Sequence, residues 1–148
     1  MRICESALNE ALERELIRMS AAWEAEDSCR GYRTNAHEDL EGRRFFLAEE
    51  NGAILGYLFG RRETAKNSLS VMPDGTPYFE VEEIYVVPEH RSQGVGCALF
   101  AFAEQTVRAE GLPWLMLSTA TKNARAILHF YLDELGMTFW SARLFKKL

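Results

Sequence analysis

The stretch VVPEHRSQGVGCAL, residues 86–99, joins a strand-like pattern to a helix-like pattern with almost nothing between them. An apolar run is stopped by Pro88, and Gly94 and Gly96 lead directly into a helical apolar pattern. Such a joint leaves the first N–H groups of the helix unpaired, and these groups attract an anion such as a phosphate. The glycines let a ligand approach the backbone, and Arg91 adds a permanent cation. The pattern therefore predicts a pyrophosphate site, with a tight turn that binds no ligand as the alternative.

Two common nucleotide-binding patterns do not fit this loop. A P-loop continues with Lys and Ser or Thr after its glycines, whereas Gly96 is followed by Cys97 and Ala98. A dinucleotide-binding fingerprint needs a third glycine at the position of Leu99. A nucleotide-dependent enzyme is therefore disfavoured.

Apolar periodicity divides the first half of the chain into helices and strands. A short strand at 2–4 precedes a helix whose apolar residues recur at steps of three and four. These residues are Leu8, Leu12, Leu16, Met19 and Trp23. Residues 28–42 are polar, which indicates a loop with a short helix. Asn51 and Gly52 stand between two apolar runs, which is a strong signal for a β-hairpin.

The second half alternates strands and helices, which indicates an α/β domain with a mixed sheet. The predicted order is a strand over 78–87, a helix over 94–110, a strand over 114–118, a helix after Asn123 and a last strand over 138–145. The first three of these elements should form a right-handed parallel unit. Asn123 is placed to cap the later helix, and Gly136 to end it. Its inward residues are predicted to be Ile127, Leu128, Tyr131 and Leu135.

Composition limits the class of protein. The 148 residues, 47% hydrophobic and 26% charged, suit one soluble domain over 1–148, and the net charge of −5 argues against nucleic-acid binding. No apolar run reaches about 18 residues, so no membrane-spanning helix is expected. The start lacks the apolar core of a signal peptide, and three cysteines without CxxC spacing indicate reduced thiols in a cytoplasmic protein. Three scattered histidines show no metal-ligand spacing, so no metal is expected.

The string Val86-x-Pro88-x-x-Arg91-x-x-Gly94-x-Gly96 resembles the acetyl-CoA-binding signature of the GNAT N-acetyltransferase superfamily. The order of elements matches that family over most of the chain, and the first 40 residues match in general character. The resemblance implies a mixed, mostly antiparallel sheet with helices on both faces. It also implies direct transfer of the acetyl group from acetyl-CoA to a primary amine of a small molecule or peptide. Homodimers are common in the family.

The same resemblance assigns site residues. It implies that acetyl and pantetheine groups contact the backbone of Ile84, Tyr85, Val86 and Val87. It implies that the pyrophosphate contacts the N–H groups of Arg91, Ser92, Gln93, Gly94, Val95 and Gly96. Asn123 resembles an asparagine that touches the CoA arm, although the helix has one residue more than the family pattern before Tyr131; capping is its alternative role. Tyr131 resembles the tyrosine that protonates the departing thiolate, with core packing as the alternative.

Three glutamates lie on the strand that leads into the loop. A period of two would place Glu80 and Glu82 on one face, and Glu83 on the other face with Val81 and Tyr85. We expect at least one carboxylate to face a cleft as base or as anchor for a cationic amine; exposure or ion pairing is the alternative. In the family, acids at matching positions serve as base, and the predicted order is Glu82, then Glu83, then Glu80. Trp23 and Tyr32 are expected to wall the core or the cleft without a chemical role.

The sequence leaves two functions open. The favoured one is an N-acetyltransferase that forms no covalent intermediate, because no Cys-His or Ser-His pair stands near the site in sequence. The alternative is a non-catalytic acyl-CoA-binding regulatory module on the same fold. The identity of the amine, such as an aminoglycoside, polyamine, amino acid or protein N-terminus, is not encoded in any motif.

Overall fold

A computed structural model describes residues 1–148 and contains one five-stranded sheet. Its strands are β1 Arg2–Ser6, β2 Arg44–Glu50, β3 Ala53–Thr64, β4 Pro77–Val86 and β5 Leu115–Leu117, in that spatial order. The first four strands are antiparallel neighbours, and β5 is parallel to β4. The predicted mixed, mostly antiparallel sheet is confirmed.

Four α-helices connect these strands or follow them. They are α1 Glu10–Glu26, α2 His37–Leu40, α3 Val95–Ala109 and α4 Ala124–Leu128, with a 3₁₀ turn at Pro88–His90. The side chain of Asn9 begins α1 by accepting the N–H of Leu12 at 2.9 Å. None of the helices combines the length and apolar character that crossing a bilayer requires.

Helices cover both faces of the sheet, as the sequence predicted. On one face α3 packs on the sheet through a core that includes Phe46, Leu58, Phe79, Val81, Leu99, Ala103 and Val107. On the other face α1 and α2 pack on a core that includes Leu12, Leu16, Met19, Leu40, Phe45, Tyr57 and Tyr85. The apolar stripe predicted for the first helix is therefore the surface that α1 buries.

The hairpin between β2 and β3 turns at the predicted dipeptide. Asn51 has a φ of 50° and Gly52 a φ of 81°. Two successive positive φ angles are typical of the type I′ turn, which matches the twist of antiparallel strands.

A β-bulge in β4 overturns the predicted alternation of its faces. The pairing register with β3 shifts between Phe59 and Gly60, which lie opposite Glu83 and Val81. The additional residue on β4 is Glu82. Val81 consequently packs in the α3 core, whereas Glu83 contacts Tyr57 of the α1 core. The expectation that Val81 and Glu83 share a face is wrong because a bulge inserts one residue and reverses the alternation beyond it.

The helix after β5 changes its winding. Asn123 caps α4 by accepting the N–H of Ala126 at 3.2 Å, as predicted. Beyond α4 the chain continues as a π-helix over His129–Glu134 and ends at Gly136, whose φ is 67°. A π-helical turn accommodates an inserted residue within a helix, which accounts for the additional residue between Asn123 and Tyr131.

The last predicted strand is absent. Residues 138–148 form neither helix nor strand, and Phe139, Leu144 and Phe145 are exposed by 53%, 94% and 77%. The alternating apolar pattern of TFWSARLF suits a strand, but a strand also needs a neighbour for its backbone groups. No segment of the chain pairs with this one.

Candidate active site

The strands β4 and β5, the last two of the sheet, separate after a short pairing. They pair only where Phe79–Val81 lies opposite Leu115–Leu117. From Glu82 to Val86, β4 keeps β3 on one side and has no strand on the other. Apart from the Val86 carbonyl, which accepts from Nε of Arg91, backbone groups along this edge are therefore available to a ligand that pairs with them as a strand would. The predicted residues Ile84, Tyr85 and Val86 lie on this stretch.

The loop after β4 presents unpaired N–H groups at the start of α3. No protein atom accepts the N–H of Ser92, Gln93, Gly94, Val95 or Gly96, whereas the N–H of Arg91 donates to the carbonyl of Pro88 at 3.3 Å. Ser92 and Gly94 have positive φ angles of 58° and 81°. Five free donors beside the positive end of a helix dipole form a cradle for an anion.

The two glycines of this loop serve different purposes. Gly94 needs its positive φ, and a Cβ built on it would meet no atom within 4 Å. Gly96 has ordinary backbone geometry, but its Cβ would lie 3.1 Å from Cζ of Phe130. The first glycine therefore shapes the open loop, and the second lets the π-helical segment pack closely on α3.

Arg91 is tied to two other parts of the protein by its side chain. Its Nη1 and Nη2 donate to the two carboxylate oxygens of Glu26 at 2.9 and 2.8 Å, and its Nε donates to the carbonyl of Val86 at 2.8 Å. Burial opposes ionisation of Glu26, yet hydrogen bonds from Arg91 and Tyr85 hold the pKa of its carboxyl below the usual value. The guanidinium ties the loop to α1 and to the end of β4. The sequence pattern did not indicate Glu26.

Glu83 stands at the centre of a hydrogen-bond network on the α1 face. Its Oε2 accepts from Nδ2 of Asn35 at 3.0 Å, from the hydroxyl of Tyr57 at 2.9 Å and from the hydroxyl of Tyr32 at 3.3 Å. Its Oε1 has no hydrogen-bond partner, and the chain contains no sealed side-chain oxygen without one. Oε1 is therefore not sealed from solvent, and it is the carboxylate oxygen left without a protein donor.

The environment of Glu83 tunes its acidity. Burial raises the pKa of this carboxyl to about 7, against the opposing effect of the hydrogen bonds from Asn35, Tyr57 and Tyr32. All three partners are neutral donors. A carboxylate with this pKa can both accept and release a proton near neutral pH.

The other two glutamates have different surroundings. Glu82, the bulge residue, accepts from Nε and Nη2 of Arg43 at 2.6 and 3.2 Å and lies 3.8 Å from Nε of Arg61. Glu80 lies opposite Met116, where β5 still pairs with β4. Burial, with the charges of Glu82 and Glu63, raises the pKa of Glu80 to about 7. Glu82 is thus engaged by arginines, as the ion-pairing alternative predicted.

Tyr131 lies in the π-helical segment and is only 8% exposed. Burial, with a smaller effect of Cys29, raises the pKa of its hydroxyl to about 12. Cys29 itself pairs in a β-bridge with Thr121. Backbone hydrogen bonds on both sides of this bridge join the segment after α1 to the segment after β5. A tyrosine with this pKa keeps its proton at neutral pH and can donate it.

Residues 6–137 match a sequence model of the acetyltransferase (GNAT) family. The chain belongs to the GNAT family. A mycothiol acetyltransferase of Cellulomonas flavigena is 39% identical to it over 90 residues, which make up 59% of this chain and 24% of that protein. The chain spans between 24% and 57% of the length of the curated relatives that it matches.

Solved structures share the fold of this GNAT family member at low sequence identity. An aminoglycoside acetyltransferase from an uncultured soil metagenomic sample superposes with a TM-score of 0.72 at 19% identity, covering 99% of this chain and 95% of that one. Aminoglycoside N-acetyltransferase AAC(6')-Iy in complex with CoA superposes with a TM-score of 0.67 at 18% identity, covering 99% and 98%. The GNAT-like fold expected from the sequence is confirmed.

The polar contacts that surround Glu83 in the GNAT site carried no sequence signal. Tyr32 and Asn35 come from the irregular segment between α1 and α2, and both donate to Glu83. Trp23 packs against Tyr32 and Tyr85, with ring centroids 4.3 and 5.3 Å apart. Tyr32 therefore donates a hydrogen bond to Glu83, in addition to the wall-forming role that the sequence predicted for it.

Proposed function

We propose that residues 1–148 form one N-acetyltransferase domain that transfers the acetyl group of acetyl-CoA directly to a primary amine, with Glu83 as the general base. The observation that carries this proposal is the carboxylate of Glu83, whose Oε2 receives three donors while Oε1 stays free. Glu83 lies on β4 beside the gap that β5 leaves. Glu83 replaces Glu82 as the first candidate because the carboxylate of Glu82 is occupied by Arg43.

Acetyl-CoA binds, in this proposal, between the loop and the free edge of β4. The five free N–H groups from Ser92 to Gly96 donate to its pyrophosphate. The backbone of Ile84 to Val86 pairs with the pantetheine arm and donates to the thioester oxygen. Asn123 takes no part through its side-chain oxygen, which caps α4. The solved structure with CoA bound to a protein of the same fold supports this cosubstrate.

The reaction then needs proton transfers at both the amine and the departing sulfur. Oε1 of Glu83 takes a proton from the ammonium group of the acceptor, directly or through water, and the freed nitrogen attacks the thioester carbonyl carbon. Backbone donors stabilise the negative charge on the carbonyl oxygen. The carbon–sulfur bond breaks, and the departing thiolate takes the proton of the Tyr131 hydroxyl. The excess proton of the attacking nitrogen passes through water to the Tyr131 oxygen, and Glu83 releases its own proton to solvent. The products are an acetylated amine and CoA.

The acceptor is a primary amine of a small molecule or peptide. The names of the relatives support this class, because mycothiol acetyltransferase and aminoglycoside acetyltransferase denote acceptors that are small polar molecules. Trp23 packs on the ring of Tyr32, whose hydroxyl donates to Glu83, and aromatic rings favour a cationic group.

A panel of amines incubated with acetyl-CoA tests the proposed activity. We expect at least one amine to release free thiol above the rate of hydrolysis without an amine, and Glu83→Gln to abolish that release while retaining acetyl-CoA binding. If acetyl-CoA raises thermal stability but no amine gives thiol, the chain is the non-catalytic acyl-CoA-binding module instead.

A further inference from the structure

Only two polar residues of the chain are buried, and they lie in the same network. Ser20 is 0% exposed and Asn35 is 8% exposed. Ser20 lies on the inner face of α1, where its Oγ accepts the backbone N–H of Asn35 at 2.7 Å and lies 2.8 Å from the hydroxyl of Tyr32. A buried polar group is costly unless it forms hydrogen bonds, so each polar atom of Ser20 and Asn35 needs a partner in this network.

The proton positions in this network have a consistent order. Tyr32 directs its O–H to Oε2 of Glu83, so the Ser20 hydroxyl donates to the oxygen of Tyr32. The same Ser20 oxygen accepts from Asn35, whose side-chain amide donates to Glu83. One hydroxyl on α1 thereby fixes both donors that the irregular segment directs at the carboxylate.

We infer that Ser20 is a positioning residue for the general base: it holds Tyr32 and Asn35 so that both donate to Oε2 of Glu83 and Oε1 is left for the acceptor. This inference rests on the proposed function of Glu83. Ser20 itself does not touch the carboxylate, and nothing in its sequence context distinguishes it from other serines. Its effect therefore passes through Tyr32 and Asn35.

The groups that face Glu83 decide what losing Ser20 does to catalysis. They are Tyr57 from β3, Tyr32 and Asn35 from the irregular segment, and the more distant charge of Asp39 from α2. Hydrogen bonds to a carboxylate favour its charged form. When Tyr32 and Asn35 are no longer held, that support weakens and the carboxylate keeps its proton to higher pH. Tyr57, on a sheet strand, remains in place.

The test is the pH profile of kcat/KM for the best amine in Ser20→Ala and Tyr32→Phe. We expect the acidic limb to move upward by about 0.5 unit or more in both variants. The KM for the amine should rise, and the Kd for acetyl-CoA should stay at the parental value. Tyr78→Phe is the matched control, because Tyr78 lies at the opposite end of β4, paired with Glu63. A merely structural role for Ser20 would lower the Tm and leave the limb in place.

Three results separate the two proposals. If Glu83→Gln keeps the parental activity, the proposed base is wrong and this inference is overturned with it. If Glu83→Gln is inactive but both variants keep the parental limb, only the positioning role is overturned. If Ser20→Ala does not fold, Tyr32→Phe decides, because it removes one hydroxyl and keeps the ring against Trp23. The double variant should shift the limb by less than the sum of the two single shifts, because both changes act through the hydroxyl of Tyr32.

Discussion

The carboxylate of Glu26 binds the guanidinium of Arg91 through two hydrogen bonds of 2.8 and 2.9 Å, and so joins the end of α1 to the loop that precedes α3. The third contact of Arg91, from Nε to the carbonyl of Val86, fixes the same side chain to β4. Arg91, which the sequence indicated as a permanent cation for phosphate, therefore shapes the loop that presents the N–H groups.

Arg91→Lys and Glu26→Gln should both weaken acetyl-CoA binding, by about threefold to tenfold, because a lysine cannot form the fork of two parallel hydrogen bonds. Both ends of this ion pair are partly exposed, so we expect a loss of about 1 kcal/mol in stability, or about 2–4 °C in Tm. Isothermal titration with acetyl-CoA measures the affinity. Tighter binding in Glu26→Gln would mean that the freed guanidinium contacts phosphate directly.

Gly94→Glu should abolish the thermal stabilisation that acetyl-CoA gives, through bulk and charge repulsion in the anion cradle. Gly75→Glu is a matched control: Gly75 has a φ of 86°, and a Cβ on it would also meet nothing within 4 Å. Both variants carry the same strain and the same charge, so each should lower the Tm by a similar amount. If acetyl-CoA raises the Tm of Gly94→Glu as much as that of the parent, the binding site does not lie at this loop.

Gly96→Ala tests packing separately from ligand contact. The new methyl group would lie 3.1 Å from Cζ of Phe130, so the ring or the backbone that carries it must shift by a few tenths of an ångström. We expect a destabilisation of about 1–3 kcal/mol, as for overpacking in a core. Denaturant unfolding measures this loss. In the double variant with Phe130→Leu, most of the lost stability should return. If the two losses in stability add instead, the contact with Phe130 is not the cause of the destabilisation.

Tyr131→Phe should keep acetyl-CoA affinity and lower kcat by about tenfold or more, since it removes a proton donor and leaves the ring in place. Because burial raises the pKa of the Tyr131 hydroxyl to about 12, its ionisation should give no fall in activity between pH 7 and 9. Single-turnover kinetics separate the chemical step from binding. Parental kcat in this variant would restrict Tyr131 to core packing.

Glu83 should make the protein less stable as the pH rises. Its ordinary pKa of 4.5 is raised to about 7 in the folded state, so the folded protein binds an additional proton between those values and its stability falls across that window. Glu83→Gln should therefore raise the free energy of unfolding at pH 8, by up to about 3 kcal/mol, and leave it nearly unchanged at pH 4. Thermal unfolding across this range measures the difference, and equal stabilities at pH 8 would contradict the raised pKa.

The sequence predicted the elements of the fold better than their details. Local patterns suffice for α1, the hairpin at Asn51 and Gly52, and the joint between β4 and α3, because each is set by neighbouring residues. The bulge at Glu82 depends on the register with β3, and one strand's period cannot reveal it. The prediction of a last strand over 138–145 was wrong because an alternating apolar pattern does not indicate whether a pairing partner exists.

The candidate site divides in the same way. The anion loop and Tyr131 follow from short motifs, whereas the donors to Glu83 do not. Asn35 and Tyr32 lie 48 and 51 residues before Glu83 in the sequence and come from a segment without helix or strand. Their contacts exist only because α1 and the sheet bring that segment over β4, and no periodicity records such an encounter.

The most direct test of the central claim is kcat/KM for the best amine between pH 6 and 9 in Glu83→Gln and Glu82→Gln, measured by release of free thiol. With Glu83 as base, the parental rate falls below about pH 7, Glu83→Gln loses about 10²- to 10⁴-fold and its acidic limb, and Glu82→Gln keeps the limb. The opposite pattern, with Glu83→Gln at the parental rate and the parental limb retained, would contradict the assignment of Glu83 as the base.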